Sequence, residues 1–347
     1  MAKPFVNPFV SGQFLELRVD ALVSDGRGLG RHDGVVVLVE DALPGQLVRA
    51  RVDAVRKSLA EAALVEVLER SPDEQEPPCP HAGRCGGCSW QSLAYGRQLA
   101  WKERIVHDAL ERVGKVACPP MLPILPSPSE WGYRNKMEFA FGVSGDGGKA
   151  LGLRERGSRN IVEVTGCLLQ TPLTMRVLEA VRMLSNGAFH DLDGRFLVVR
   201  EPNAGGCFVE LIVGAGGSLE AGERFAEALR AETPEVTGFA LSERLAPSDV
   251  AYGERALYAD GRLEERIGDV RLQMGHNAFF QVNTPAAELL YAEAARFAAL
   301  GELPDPVLWD VYGGVGSIGL YMGRNARVVG IEEMPGAVRY ARGNAKA

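Results

Sequence analysis

With 347 residues, 46% of them hydrophobic and 24% charged, the chain carries enough apolar content to bury cores in two or three domains, which excludes an intrinsically disordered protein. A formal net charge of −7 excludes broad, non-specific nucleic-acid binding, because phosphate contacts need clustered Lys and Arg; any RNA contact must be local. No apolar run approaches the ~18 residues of a membrane span, and Met1 to Val10 lack the features of a signal peptide, so a soluble cytoplasmic protein is expected.

Residues 12–70 alternate apolar and polar positions (Leu15, Leu17, Val19; Val35 to Val39; Val48, Ala50, Val52), with turn signals at Asp25-Gly26, Asp33-Gly34 and Pro44-Gly45. Short strands at that spacing predict a small barrel of the oligonucleotide-binding type over residues 1–70, with Arg49, Arg51, Arg56 and Lys57 as a local basic patch; a barrel with no ligand is the alternative. Ser71 to Pro80, rich in proline and acids, reads as a linker and domain boundary opening a cysteine-bearing segment, 71–91. A helical connection follows over 92–120, its amphipathic helix carried by Leu93, Leu99, Ile105, Val106, Leu110 and Val113 and ended by Gly114 as a C′ residue.

Between 121 and 274 strand-like runs (Met137 to Val143, Arg195 to Arg200, Phe208 to Val213, Val270 to Met274) mix with helical ones (Thr174 to Leu184, Leu219 to Ala231), which predicts an α+β domain. From 275 to 347 a helix (Ala286 to Leu300), a buried-looking strand (Val307 to Tyr312), a glycine turn, a second helix, a strand (Arg327 to Ile331) and a helix from Pro335 form one βαβ unit and the start of another. A doubly wound sheet needs more than two strands, so this is read as an incomplete α/β domain with Val307, Leu308, Val328 and Val329 lacking neighbours.

Three of the six cysteines, Cys79, Cys85 and Cys88, form C-x5-C-G-G-C, where two glycines let the backbone curl and the thiolates converge on one metal. A fourth ligand would come from Cys118, Cys167, Cys207 or His81, and the spacing leaves iron–sulfur and zinc both open. The second motif, Asp310-Val311-Tyr312-Gly313-Gly314-Val315-Gly316-Ser317, lies between strand and helix, with Glu332 ending the next strand. Such a turn lets the backbone approach an adenosyl ligand while the second-strand acid accepts hydrogen bonds from the ribose. Gly314, Gly316 and Gly319 also spell the dinucleotide fingerprint, but Asp310 favours the charged amino-acid part of S-adenosylmethionine and would repel a pyrophosphate.

Several separate motifs together resemble one family, the RNA uracil-5-methyltransferases that carry an N-terminal TRAM domain. The barrel's Gly26-Arg27-Gly28-Leu29-Gly30-Arg31, Pro44-Gly45 and Arg56-Lys57-Ser58-Leu59-Ala60-Glu61 are similar to TRAM sequences. Tyr133-Arg134-Asn135-Lys136-Met137-Glu138-Phe139 looks like the family's RNA-facing motif, and Phe279-Phe280-Gln281-Val282-Asn283 like the segment whose glutamine contacts the methyl donor. The resemblance implies a 4Fe–4S cluster on Cys79, Cys85, Cys88 and Cys167. It implies a donor site of Gln281, Asp310, Tyr312, Gly314, Gly316, Ser317 and Glu332, and RNA contacts at Tyr133, Arg134, Asn135 and Lys136, supported by Arg154, Arg156 and Arg159. Two departures stand in the turn: family members commonly carry cysteine at Gly313 and asparagine at Ser317.

The implied function is methylation of uridine carbon 5 in RNA, 23S ribosomal RNA rather than transfer RNA, by a monomer. Carbon 5 is a poor nucleophile, so a cysteine thiolate first adds to carbon 6, and a base later removes the carbon 5 proton. In the family both groups lie beyond the second strand of this domain; the chain is therefore expected to be C-terminally truncated, inactive in methyl transfer, and a weak binder of the donor. An iron–sulfur oxidoreductase using a dinucleotide and a non-catalytic RNA-binding protein are the competing readings.

Overall fold

The computed structural model describes residues 7–144, 149–214, 217–247 and 249–347, and the chain divides into two compact units, Met1–Pro126 and Ser127–Ala347. Alternation builds the first unit. In β1 (Phe14–Leu22), Leu15, Leu17 and Val19 point inward and the residues between them outward, as a strand with one buried face requires. With β2 (Gly28–His32), β3 (Val35–Glu40), β4 (Leu47–Val55) and β5 (Leu59–Glu69) it closes the expected barrel in the order β1-β2-β3-β5-β4, with β3 and β5 parallel and the other pairs antiparallel. Asp33 and Gly34, at φ 48° and 78°, supply the two left-handed residues of a two-residue hairpin between β2 and β3. A Cβ on Gly28 would stand 2.7 Å from the Ala42 carbonyl oxygen, so the barrel wall closes there only over glycine.

The basic patch expected on this barrel is neutralised among its arginines. Arg49 pairs with Glu16 (2.8 Å) and Glu66 (2.7 Å) on neighbouring strands, Arg51 with Asp53 (3.0 Å) two residues along the same strand and Arg56 with Glu61 (2.7 Å) across a turn. Nor does the proline-rich stretch behave as a linker between units. Glu74 pairs with Leu93 as an isolated bridge and accepts a hydrogen bond from Gln46 Nε2 (2.8 Å), while Trp90 Nε1 donates to the Gly26 carbonyl (3.0 Å). Leu22, Leu43 and Leu93 form a small core there, with Trp90, Trp101 and Ile105 packed on it, so burial holds the segment to the barrel. The helix α1 (Tyr95–Asp108) runs on into a π turn, Ala109–Val113, closed by Gly114 N–H on the Ala109 carbonyl (2.8 Å). Gly114 is right-handed, and the left-handed residue expected of it is Lys115, at φ 55°.

The second unit is built on a seven-stranded sheet, order β12-β11-β10-β9-β6-β7-β8. Its strands are β6 (Lys136–Val143), β7 (Lys149–Arg154), β8 (Ile161–Val162), β9 (Gly194–Arg200), β10 (Cys207–Val213), β11 (Val236–Glu243) and β12 (Arg255–Asp260). Helices α2 (Pro172–Asn186) and α3 (Leu219–Glu232), N-capped by Thr171 and Ser218, pack their apolar stripes on one face around Phe139, Leu197, Val209, Phe225 and Phe239. Every residue of β10 is buried, because it lies mid-sheet with both faces covered.

A hairpin of β13 (Leu263–Ile267) and β14 (Val270–Met274) leads to α4 (Thr284–Ala298), capped by Asn283. Then β15 (Val307–Val311), α5 (Ser317–Met322), β16 (Arg327–Ile331) and α6 (Pro335–Asn344) give the expected βαβ start, with β15 and β16 parallel. The strand expected to be buried is instead open on one face: Trp309 is 61% exposed and Asp310 is the residue of β15 that is buried. No helix among the described residues is long and apolar enough to cross a membrane.

Candidate functional site

The glycine turn leaves β15 at Tyr312 and enters α5 at Ser317. Gly314 and Gly316 take left-handed conformations (φ 56° and 87°), and Gly316 is the N-cap of α5. Tyr312 also sits at positive φ, 63°, which costs a residue with a side chain about 1–3 kcal/mol, and it projects its ring 87% exposed beside the turn.

Two acids hold this turn in shape. Asp310 Oδ2 accepts the Gly319 N–H (2.9 Å), tying the end of β15 to the first turn of α5. Glu332 reaches back from the end of β16: Oε2 accepts the Gly314 N–H (2.9 Å) and Oε1 the Met334 N–H (2.8 Å). Those two N–H groups, Met334 foremost, hold the Glu332 carboxyl below its ordinary range, so it is ionised at neutral pH. The Gly313 N–H donates to the Ile331 carbonyl (3.0 Å), stitching the turn to β16. Ser317 Oγ lies 3.2 Å from the hydroxyl of the buried Tyr291 on α4, whose phenol is pushed up by burial. Gly314 and Gly316 thus lie in a turn whose two acids bind main chain; each carboxylate oxygen keeps a second lone pair for a ligand.

Gln281 lies just before α4. Its carbonyl oxygen accepts from Asn135 Nδ2 (3.0 Å), and the Asn135 N–H donates to the Val282 carbonyl (2.9 Å). Asn135, expected to face RNA, therefore turns its carboxamide inward, where Thr284 Oγ1 (2.8 Å) and Glu265 Oε2 (3.0 Å) also receive it. The neighbouring Arg134 donates Nε to the Lys136 carbonyl (2.9 Å), Lys136 pairs with Glu138 (2.5 Å), and Tyr133 is half-buried. Arg154 and Arg159 share Asp249, at 3.1 and 3.6 Å.

Sequence reasoning missed Glu265, Tyr291 and Arg200. Glu265, 3% exposed and pushed up by burial, stands in phase with Leu263 and Ile267 on β13, and that phase was the available signal. Arg200 is buried among the charges of Glu210, Glu138 and Glu265 and donates Nη2 to the Ala278 carbonyl (2.6 Å); burial pulls its guanidinium below its ordinary range.

Cys79, Cys85 and Cys88 lie on one run of turns in the first unit, where the Gly87 N–H donates to Cys85 Sγ (3.4 Å); Cys167 lies in the second unit, packed against its main core. Soft thiolates are the donor set of an iron–sulfur or zinc centre. Among the described residues, no three His, Cys, Asp or Glu side chains gather as a metal site. Cys207 is fully buried in the sheet, and burial pushes its thiol up to about 12.

The TRAM domain family matches residues 8–65, the closed barrel. A protein of Nitratidesulfovibrio vulgaris described as an uncharacterized RNA methyltransferase is 44% identical over 98% of this chain and 75% of its own length. The chain belongs to the RNA methyltransferases. A second such relative, from Caldanaerobacter subterraneus, is 32% identical over 98% of this RNA methyltransferase and 77% of its own length. Among solved structures, the Pyrococcus abyssi tRNA (uracil-54, C5)-methyltransferase in complex with S-adenosyl-L-homocysteine aligns with a TM-score of 0.72 at 23% identity, covering 95% of this chain and 76% of its own, a likeness of fold.

Proposed function

We propose that this RNA methyltransferase acts on carbon 5 of uridine, with S-adenosylmethionine as donor and 23S ribosomal RNA as target. The observation that carries the donor reading is the turn itself: left-handed Gly314 and Gly316 at the end of a parallel strand, held from the next strand by the ionised Glu332. That frame offers main chain at close range and a second-strand acid, as an adenosyl ligand needs. In this reading Gly314 and Gly316 line the nucleoside, Glu332 accepts its ribose hydroxyls, Asp310 and Ser317 meet the amino-acid part, Tyr312 flanks the adenine, and Gln281 closes the pocket. Once bound, the donor supplies an electrophilic methyl group, and these residues orient it.

Tyr133, Arg134 and Lys136 remain the RNA contacts proposed, with Asn135 turned inward beneath them. The thiolate demanded by carbon 5 chemistry is not Cys207, and no cysteine occurs between residues 275 and 347. We infer that none of the cysteines in these 347 residues supplies that thiolate. Cys79, Cys85, Cys88 and Cys167 are proposed to take up a 4Fe–4S cluster by resemblance to the family, since their spacing alone suits zinc equally; stoichiometric iron and sulfide in anaerobically purified protein would support it, and colourless, iron-free protein would rule it out.

Isothermal calorimetry with S-adenosylhomocysteine tests the donor site. Glu332→Ala is expected to weaken binding at least tenfold, and equal affinity in the variant would refute the assignment.

A further inference from the structure

We propose that Asn135 is a positioning residue for the donor site: from the start of β6, an interior strand of the central sheet, it fixes the main chain at Gln281, and the buried Glu265 in turn fixes Asn135. The proposal rests on the reading of Gln281 as a donor contact.

Asn135 stands immediately before β6, and all of its polar main-chain and side-chain donors are committed within the unit. Its carbonyl accepts the Glu201 N–H (2.8 Å) at the end of β9, and its own N–H donates to the Val282 carbonyl (2.9 Å). The carboxamide Nδ2 faces the Gln281 carbonyl (3.0 Å), Thr284 Oγ1 (2.8 Å) and Glu265 Oε2 (3.0 Å). Glu265 is itself immobilised: Oε1 accepts the N–H groups of Asn203 (2.8 Å) and Arg266 (3.1 Å), which aims Oε2 at Asn135. The approach to Gln281 is held from the same sheet, since the buried Arg200 grips the Ala278 carbonyl (2.6 Å) and Phe280 is buried in the neighbouring core. Gln281 thus hangs from a main chain whose position is set by residues of β6, β9 and β13. Asn135 also belongs to the stretch 133–136 proposed to meet RNA, so that stretch is tied to the donor contact by the Asn135 carboxamide, by the Asn135 N–H on Val282 and by the Arg134–Asn283 bridge.

A residue that only stabilised the seam would lose stability and donor affinity together; a positioning residue separates them. Exchanging the two groups makes the separation. In Asn135→Asp the carboxylate faces the Glu265 carboxylate and can donate to neither Gln281 nor Thr284. In the double variant Asn135→Asp/Glu265→Gln, the new glutamine amide donates to Asp while its oxygen keeps the Asn203 and Arg266 N–H groups, so the seam is repaired. The Gln281 carbonyl still lacks its donor.

The experiment measures S-adenosylhomocysteine affinity by calorimetry and Tm by thermal unfolding on the 347-residue chain. Asn135→Asp is expected to lower Tm and weaken binding about tenfold, the size of one lost hydrogen bond. The double variant should regain Tm while binding stays about tenfold weak; affinity returning in step with Tm overturns the proposal. If the exchange fails to restore Tm, Thr284→Val decides: it removes a partner of Asn135 without touching the Gln281 bond, so Tm should fall with affinity unchanged, and a matching loss of affinity overturns the proposal. Gln281→Ala separates the two claims. If it leaves affinity unaltered, the reading of Gln281 fails and the positioning role with it; if it weakens binding while the exchanged variant binds normally, only the positioning role fails.

Discussion

Gly319→Ala probes the frame of the donor turn most sharply. A Cβ at that position would stand 2.7 Å from Asp310 Oδ2 and 3.0 Å from Val328 Cγ1, so either α5 lifts from β15 and β16 or the Asp310 carboxylate rotates away. Lifting α5 overpacks a small interface at about 1–3 kcal/mol. Rotation deprives the buried carboxylate of the Gly319 N–H, a loss of about 1–3 kcal/mol. Replacing a helical glycine with alanine returns about 1 kcal/mol of helix propensity. The net expectation is a loss of up to about 2 kcal/mol, or up to about 8 °C in Tm for a unit of this size, together with weaker S-adenosylhomocysteine binding. Gly330→Ala is the control, because a Cβ there meets nothing within 4 Å. Urea unfolding of both variants, read against calorimetric affinity, makes the comparison; Gly319→Ala as stable as Gly330→Ala would refute the account of Asp310 as the tie between β15 and α5.

Three further outcomes are expected. Cys207, buried with its thiol pushed up to about 12, should resist iodoacetamide in the native protein at neutral pH while the half-buried Cys118, outside the proposed cluster, reacts, and mass spectrometry of the alkylated peptides reads the order. The Glu332 carboxyl lies below its ordinary value near 4.5, so its tie to Gly314 is fully present above that value and is lost as pH falls through the depressed one. Donor affinity should accordingly be flat through neutral pH and fall on acidification, with Glu332→Gln removing that acid limb. Incubated with unmodified ribosomal RNA and methyl-labelled donor, the 347-residue chain should leave the RNA unlabelled; incorporation above background would show that a thiolate among its own cysteines serves the reaction.

What could be read from residues alone follows a physical pattern. The barrel was legible because Leu15, Leu17 and Val19 alternate in phase and Asp33-Gly34 names its own turn. The helices α2 and α3 were legible in the helical runs Thr174 to Leu184 and Leu219 to Ala231. Strand β11 escaped because it is buried on both faces and shows no alternation, while β12, largely open to solvent at the sheet edge, shows no apolar run. In the site, spacing marked the turn and Glu332, and only the family resemblance pointed to Gln281, but side-chain direction is a tertiary property. Nothing local says that Asn135 points inward to Gln281, 146 residues away, or that Arg49 is neutralised by Glu66 from a neighbouring strand. The buried-looking β15 misled because apolar composition reports what a strand would bury and not whether a neighbour is there to cover it.

Amide hydrogen exchange with and without S-adenosylhomocysteine tests the central assignment most directly. Slowed exchange is predicted across the peptide holding Tyr312 to Gly319 and across the one holding Gln281. Protection confined to other segments, with the glycine turn exchanging as in the unliganded chain, would contradict it.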